Sequence, residues 1–119
     1  MNIVAVDDSE VLREYISMLL ECDGHTVYPA ESAATAVETI ATTTIDLVLS
    51  DVHMEGMDGF TLARTLRANP AHADIPIVFV TGDETEEFKT KSRLSGANGW
   101  LKKPFNAEQL LKLVRTFDL

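Results

Sequence analysis

Apolar positions in this chain come in two kinds of run that take turns. Residues 3–6 are continuously apolar, the pattern of a short strand buried on both faces. Val11, Leu12, Tyr15, Ile16, Leu19 and Leu20 follow at helical spacing. Ser9 stands where a helix N-cap belongs, and Gly24 where a glycine ends the helix. Residues 26–30 read as a second strand, and Ala33, Ala36, Val37 and Ile40 as a short helix. Residues 45–50 give a third strand, and a polar, glycine-containing loop runs over 51–58. Phe60, Ala63, Leu66 and Arg67 begin a helix. Asn69-Pro70 stops it, because the residue before a proline is pushed out of the helical region. Residues 76–80 form a fourth strand, and 84–94 are polar but helical in composition. Trp100 and Leu101 lie in a short fifth strand, and Leu110, Leu111, Val114 and Phe117 mark a last helix.

Five units of strand then helix predict an α/β domain, a parallel sheet with helices on both faces. Right-handed crossovers leave few ways to wind five such units. The expectation is a doubly wound (βα)5 sheet of the flavodoxin-like order 2-1-3-4-5, with residues 1–119 as a single domain. At 45% hydrophobic and 24% charged, the composition is that of an ordinary globular domain with one core. No run of ~18 apolar residues exists, which excludes a helical membrane span. The start of the chain lacks the basic residues and the longer apolar stretch of a signal peptide. The single cysteine, Cys22, has no partner for an internal disulfide, which fits a reducing, cytoplasmic setting. It lies near the apolar stripe of the first helix and is expected to be packed there.

The net charge of −9 argues against direct binding of nucleic acid, which needs a basic face. The charge is lopsided. Residues 1–60 carry 12 acids and one base, Arg13, whereas residues 61–119 carry 7 acids and 9 bases. Lys89, Lys91, Arg93, Lys102, Lys112 and Arg115 fall on the fourth helix, fifth strand and fifth helix. They form either a patch for an acidic partner or, more simply, a solvated face.

In open α/β sheets, ligands sit beyond the carboxyl ends of the strands. Asp7-Asp8 follows the first strand, Asp51 the third, Thr81-Gly82 the fourth, and Lys102-Lys103-Pro104 the fifth. In the expected order these ends are neighbours. Three carboxylates, a hydroxyl and an ammonium then share one pocket. Adjacent carboxylates raise one another's pKa values unless a cation sits among them. Oxygen donors suit a hard cation such as Mg²⁺, which also keeps several waters. A half-filled Mg²⁺ site is suited to receive a phosphate. A carboxylate can itself be the nucleophile in phosphoryl transfer, giving an aspartyl-phosphate. A lysine then offsets charge on the phosphoryl oxygens, a hydroxyl donates a hydrogen bond, and Gly82 leaves room. Taken singly, an aspartate after a strand is most often a turn or cap residue, Thr81 a capping hydroxyl, and Lys103 a solvated charge. Their joint placement at four strand ends is what points to a site.

The set Val6-Asp7-Asp8-Ser9, Asp51 with Met57-Asp58-Gly59, Val80-Thr81-Gly82 and Lys103-Pro104-Phe105 resembles the receiver domain of two-component response regulators, over the whole chain. The resemblance implies that Asp51 accepts a phosphoryl group from a histidine kinase or a phosphotransfer protein. It implies that Asp7, Asp8, Asp51 and the backbone carbonyl of His53 hold Mg²⁺. Thr81 resembles the hydroxyl that moves toward the phosphoryl group, Lys103 the family's lysine, and the Lys103-Pro104 bond is then cis. Self-phosphorylation and autodephosphorylation are the only chemistry implied, so the chain is not an enzyme in the ordinary sense. The fourth helix, fifth strand and fifth helix would present the altered face to a target protein or to a second copy. With no output domain, the chain would act by protein contact, as stand-alone chemotaxis-type and phosphorelay regulators do.

Two departures stand out. The family often has proline after the methionine behind the acceptor, whereas here Met54 is followed by Glu55 and Gly56, so a φ restraint is lost. Trp100 stands where the family commonly carries tyrosine or phenylalanine, an aromatic that swings as the threonine moves. It is read either as a switch or as a half-buried packing residue. His53 and Asp83 occupy positions that in the family flank the phosphoryl group and influence its hydrolysis; the plainer reading makes His53 a solvated loop side chain. Two other classes compete. A small phosphatase with an aspartate nucleophile, of the haloacid-dehalogenase kind, needs a second aspartate two residues on, whereas here the pair is adjacent. A flavodoxin needs a hydroxyl-rich loop after the first strand, where this chain has two acids. Met1 reads as a natural start and Leu119 follows the last helix at once, so a receiver module cut from a longer regulator is the remaining alternative.

Overall fold

The structure is a computed structural model that describes residues 1–118. Its elements are β1 (Asn2–Val6), α1 (Glu10–Cys22), β2 (Thr26–Ala30), α2 (Ala33–Thr42), β3 (Leu47–Ser50), α3 (Gly59–Ala68), β4 (Ile77–Thr81), α4 (Glu86–Ser95), β5 (Gly99–Lys102) and α5 (Ala107–Phe117). The strands form one sheet in the order β2-β1-β3-β4-β5, with every pairing parallel. This is the expected winding.

Alternation along each strand divides the interior in two. Ile3, Ala5, Leu47, Leu49, Val78 and Val80 point to one face, where Ile16 and Leu20 of α1 and Leu110 and Val114 of α5 cover them. Val4, Val6, Val48, Ile77 and Phe79 point to the other, under α2, α3 and Phe88 of α4. β1, β3 and β4 are therefore buried on both sides, which is why their sequences are unbroken apolar runs apart from the terminal Asn2, Ser50 and Thr81. β2 and β5 are the edges. β2 carries Pro29 and β5 carries Lys102.

Capping sets the helix starts. Ser9, Ser32, Asp58, Thr85 and Asn106 each accept a backbone N–H from the first turn of α1 to α5 in turn. Several expectations shift at the margins. The third strand starts at Leu47, since Ile45 and Asp46 precede the ladder, and the fourth includes Thr81 rather than starting at Pro76. Two residues of the first apolar stripe are displaced outward, Val11 at 78% and Tyr15 at 37% exposure, and Cys22 beside the stripe is exposed rather than packed. Only one side of α1 faces the sheet, and Ile16 and Leu20 fill it.

Candidate functional site

The register of the ladder assembles the site. Val6 pairs with Ser50, and Thr81 with Lys102. The chain therefore leaves β1 at Asp7, β3 at Asp51, and β4 and β5 at Thr81-Gly82 and Lys103, all at the carboxyl end of the sheet. Backbone bonds fix these exits: the Asp7 N–H donates to the Ala30 carbonyl, the Asp51 N–H to the Val6 carbonyl, and the Lys103 N–H to the Thr81 carbonyl.

Carboxylate oxygens of Asp7, Asp8 and Asp51 all lie within 4.8 Å of one another. Asp7 is buried, with 2% exposure, Asp8 is exposed, and Asp51 lies between. The Asp7 carboxylate accepts the Ser9 N–H at 2.8 Å, and the Asp51 carboxylate accepts the Val52 N–H at 2.7 Å. Lys103 Nζ sits between the two acids, 3.0 Å from Asp7 Oδ2 and 3.5 Å from Asp51 Oδ2. Burial pushes the Asp51 carboxyl above the usual carboxylate range; Lys103 opposes this and the Asp7 charge adds to it. One ammonium faces three carboxylates, so negative charge is in excess. A small set of hard oxygen donors, partly buried and partly open, fits a divalent cation such as Mg²⁺.

Gly59, the first residue of α3, is pressed against the acceptor loop. A Cβ there would lie 2.5 Å from the Asp51 carbonyl oxygen and 2.9 Å from Val52 Cα, and the Gly59 N–H donates to the Val52 carbonyl at 2.9 Å. Only glycine permits this approach. Gly82 differs, since a Cβ there would meet only the Lys103 carbonyl oxygen, at 3.9 Å. The Lys103-Pro104 peptide is cis.

His53 is 66% exposed, yet its Nε2 lies 3.1 Å from Asp83 Oδ2, so its side chain is tied across the site rather than simply solvated. Asp83 reaches further. Its N–H donates to Thr81 Oγ1 at 3.2 Å, and its Oδ1 accepts both the N–H and the hydroxyl of Thr85, at 2.9 and 2.8 Å. These bonds hold the Asp83 carboxyl below its usual range, the Thr85 N–H contributing most. Trp100 is 37% exposed and meets Phe88 edge-on, the ring centroids 5.5 Å apart. Phe88 in turn packs on Phe79 and Phe60. Much of the basic set on α4, β5 and α5 is paired: Lys89 with Glu86, Lys91 with Glu87, Lys102 with Glu84, and Arg115 with Asp23. That removes most of the net positive charge from the face. The bonds of Asp83 to Thr85 and His53, and the Phe88–Trp100 contact, have no counterpart in the sequence reading. The side-chain capacity of Asp83 to form an Asx turn was the only local signal for them.

A response regulator receiver domain model matches residues 3–115. The protein PilH of Pseudomonas aeruginosa is 34% identical over 95% of this chain and 93% of its own length. The gliding motility regulatory protein of Myxococcus xanthus is 35% identical over 87% of this chain. The chain spans 13% of that relative and 24% of the response regulator protein FleR of Pseudomonas aeruginosa. Among solved structures, the Vibrio cholerae chemotaxis protein CheY4 superposes with a TM-score of 0.94 at 34% identity, covering 98% of this chain and 97% of that one. A response regulator receiver protein from Pseudomonas putida gives 0.90 at 30% identity, over 97% and 95% of the two chains. The family model, the relatives and the fold agree, and the chain belongs to the response regulator receiver domain family of two-component, chemotaxis-like systems.

Proposed function

We propose that this receiver is a phosphorylation switch with Asp51 as the acceptor. The observation that carries the reading is the cluster of Asp7, Asp8 and Asp51 oxygens within 4.8 Å of one another, with Lys103 between Asp7 and Asp51. The donor is a histidine kinase or phosphotransfer protein in the cytoplasm. The Asp51 carboxylate attacks phosphorus in line, the P–N bond to the donor histidine breaks, and an acyl phosphate forms. Hydrolysis later returns the carboxylate and inorganic phosphate. Asp7, Asp8, Asp51 and the His53 carbonyl would hold Mg²⁺. When bound, Mg²⁺ offsets charge on the phosphoryl oxygens. Lys103 keeps the two acids from repelling each other in the resting state and pairs with a phosphoryl oxygen afterwards. The Thr81 hydroxyl donates to another.

The output is a change in the face made by α4, β5 and α5, which a target protein or a second copy binds. Phe88 links that face to the strand next to the acceptor, through its contacts with Phe79 and Trp100. Intact mass after incubation with acetyl phosphate tests the chemistry. One added phosphoryl group that requires both Mg²⁺ and Asp51 is expected. An adduct that forms in the presence of EDTA or on Asp51→Asn refutes the assignment.

A further inference from the structure

α4 is held in two different ways at its two ends. At its C-terminal end, Arg67 from the last turn of α3 makes four hydrogen bonds. Its Nε donates to the Gly96 carbonyl at 3.0 Å, and its Nη1 to the Ala73 and Ile75 carbonyls at 3.0 and 2.7 Å. Its Nη2 donates to Asn98 Oδ1 at 2.9 Å. The same Asn98 oxygen accepts the Ile77 N–H at 2.8 Å, so one guanidinium ties the turn after α4 to α3 and to the start of β4. Gly96 closes α4 at φ 88°. A Cβ on it would lie 2.9 Å from Arg67 Cγ, so the arginine stem lies flat against the turn. Guanidinium hydrogen bonds of this planar, many-donor kind are rigid.

At its N-terminal end the hydrogen bonds of α4 lead to the site, beside the packing of Phe88 on Phe60 and Phe79. Thr85 caps it by accepting the Phe88 N–H. Thr85 in turn donates to Asp83, and Asp83 touches Thr81 and His53. Between the two ends the packing is thin. The buried residues of α4 are Phe88, Ser92 and Ser95, and its leucine, Leu94, is 78% exposed. Serines next to the sheet side supply little apolar burial to resist movement.

We propose that α4 is a lever that pivots on Arg67 and Gly96 and is driven at Asp83–Thr85, with Phe88 carrying the stroke to Trp100. This rests on the reading that Asp51 is phosphorylated. Arg67 is thus a positioning residue, remote from the reacting atoms. It converts a shift of the β4–α4 turn into rotation of α4 instead of a shift of the whole helix or its unravelling.

Hydrogen exchange read by mass spectrometry, with and without beryllofluoride and Mg²⁺, tests this. In the wild type the fluoride complex is expected to change exchange over residues 83–90 and leave 93–98 unchanged. Arg67→Lys cannot span the same acceptors. In that variant the complex is expected to speed exchange over 93–98 by about tenfold relative to the same variant without it, the effect of roughly one or two lost hydrogen bonds. Asn98→Ala, which leaves Arg67 in place, is expected to move 93–98 in the same direction by less, and it serves if Arg67→Lys does not fold. A wild-type response over 93–98 overturns the pivot. So does a variant in which 93–98 exchanges faster by the same factor with and without the complex, because Arg67 is then a static brace. A wild type with no response anywhere refutes the phosphoryl-acceptor reading itself and takes the lever with it.

Discussion

Replacing Gly59 by alanine puts a methyl group where the structure has no room. The new Cβ meets the Asp51 carbonyl oxygen at 2.5 Å, Val52 Cα at 2.9 Å and Phe79 Cε1 at 3.2 Å. Carbon neighbours are comfortable at ~3.5–4.0 Å, so α3 must retreat from the acceptor loop by about 1 Å. The first two obstacles are backbone atoms of the loop itself, and neither can rotate away. A retreat of that size also stretches the 2.9 Å bond from the Gly59 N–H to the Val52 carbonyl beyond the useful range. Overpacking of this kind costs ~1–3 kcal/mol. Alanine returns at most ~1 kcal/mol in helix propensity, and less at a first position. The net expectation is a loss of about 2 kcal/mol, or a fall in Tm of roughly 8 °C for a chain of this length. Urea denaturation followed by circular dichroism measures the first, and a thermal melt the second. The same displacement moves the acceptor. A misplacement of about 1 Å at a reacting group can lower a rate by ~10²-fold. Labelling by acetyl phosphate should therefore slow far more than the stability loss alone explains, since most molecules remain folded. Stability within about 0.5 kcal/mol of wild type, together with wild-type labelling, refutes the argument that this contact positions Asp51.

Three further outcomes follow from the charges. Asp51→Asn should raise the Tm of metal-free protein, because it removes a partly buried charge that faces Asp7 and Asp8; Mg²⁺ should then stabilise wild type more than Asp8→Ala, and equal responses refute a shared cation site. The Arg115 guanidinium lowers the Asp23 carboxyl below its usual range. An acid with a depressed folded pKa gives stability above its unfolded value that fades as pH falls through the folded one. Arg115→Gln should therefore flatten the loss of stability below about pH 4, and identical acid profiles of the two proteins refute a role for the pair.

The winding was readable because β1, β3 and β4 are buried on both faces and carry that burial as unbroken apolar runs. The strand-end residues Asp7, Asp8, Asp51, Thr81 and Lys103 were readable for the same reason: once the order is known, the ends are neighbours. α4 was harder. Its sequence carries a single buried aromatic, Phe88, among charges and serines, so periodicity says little about which side faces inward. The Arg67 and Asp83 bonds were not legible at all. They join residues up to 31 positions apart, and a lone arginine or aspartate has no local pattern that names its distant acceptors. Val11 and Cys22 failed in the other direction. Helical spacing marks a stripe, but the width of the stripe that reaches the sheet depends on how α1 lies on it.

The two edges of the sheet bear on self-association. An open strand edge invites a neighbour to add itself and seed an aggregate. Pro29 leaves β2 one N–H short, and the Lys102 charge stands on β5, close to Glu84. A strand arriving at either side meets a missing donor or a solvated ion pair. Copies of this domain at high concentration are then kept from zipping together edge to edge.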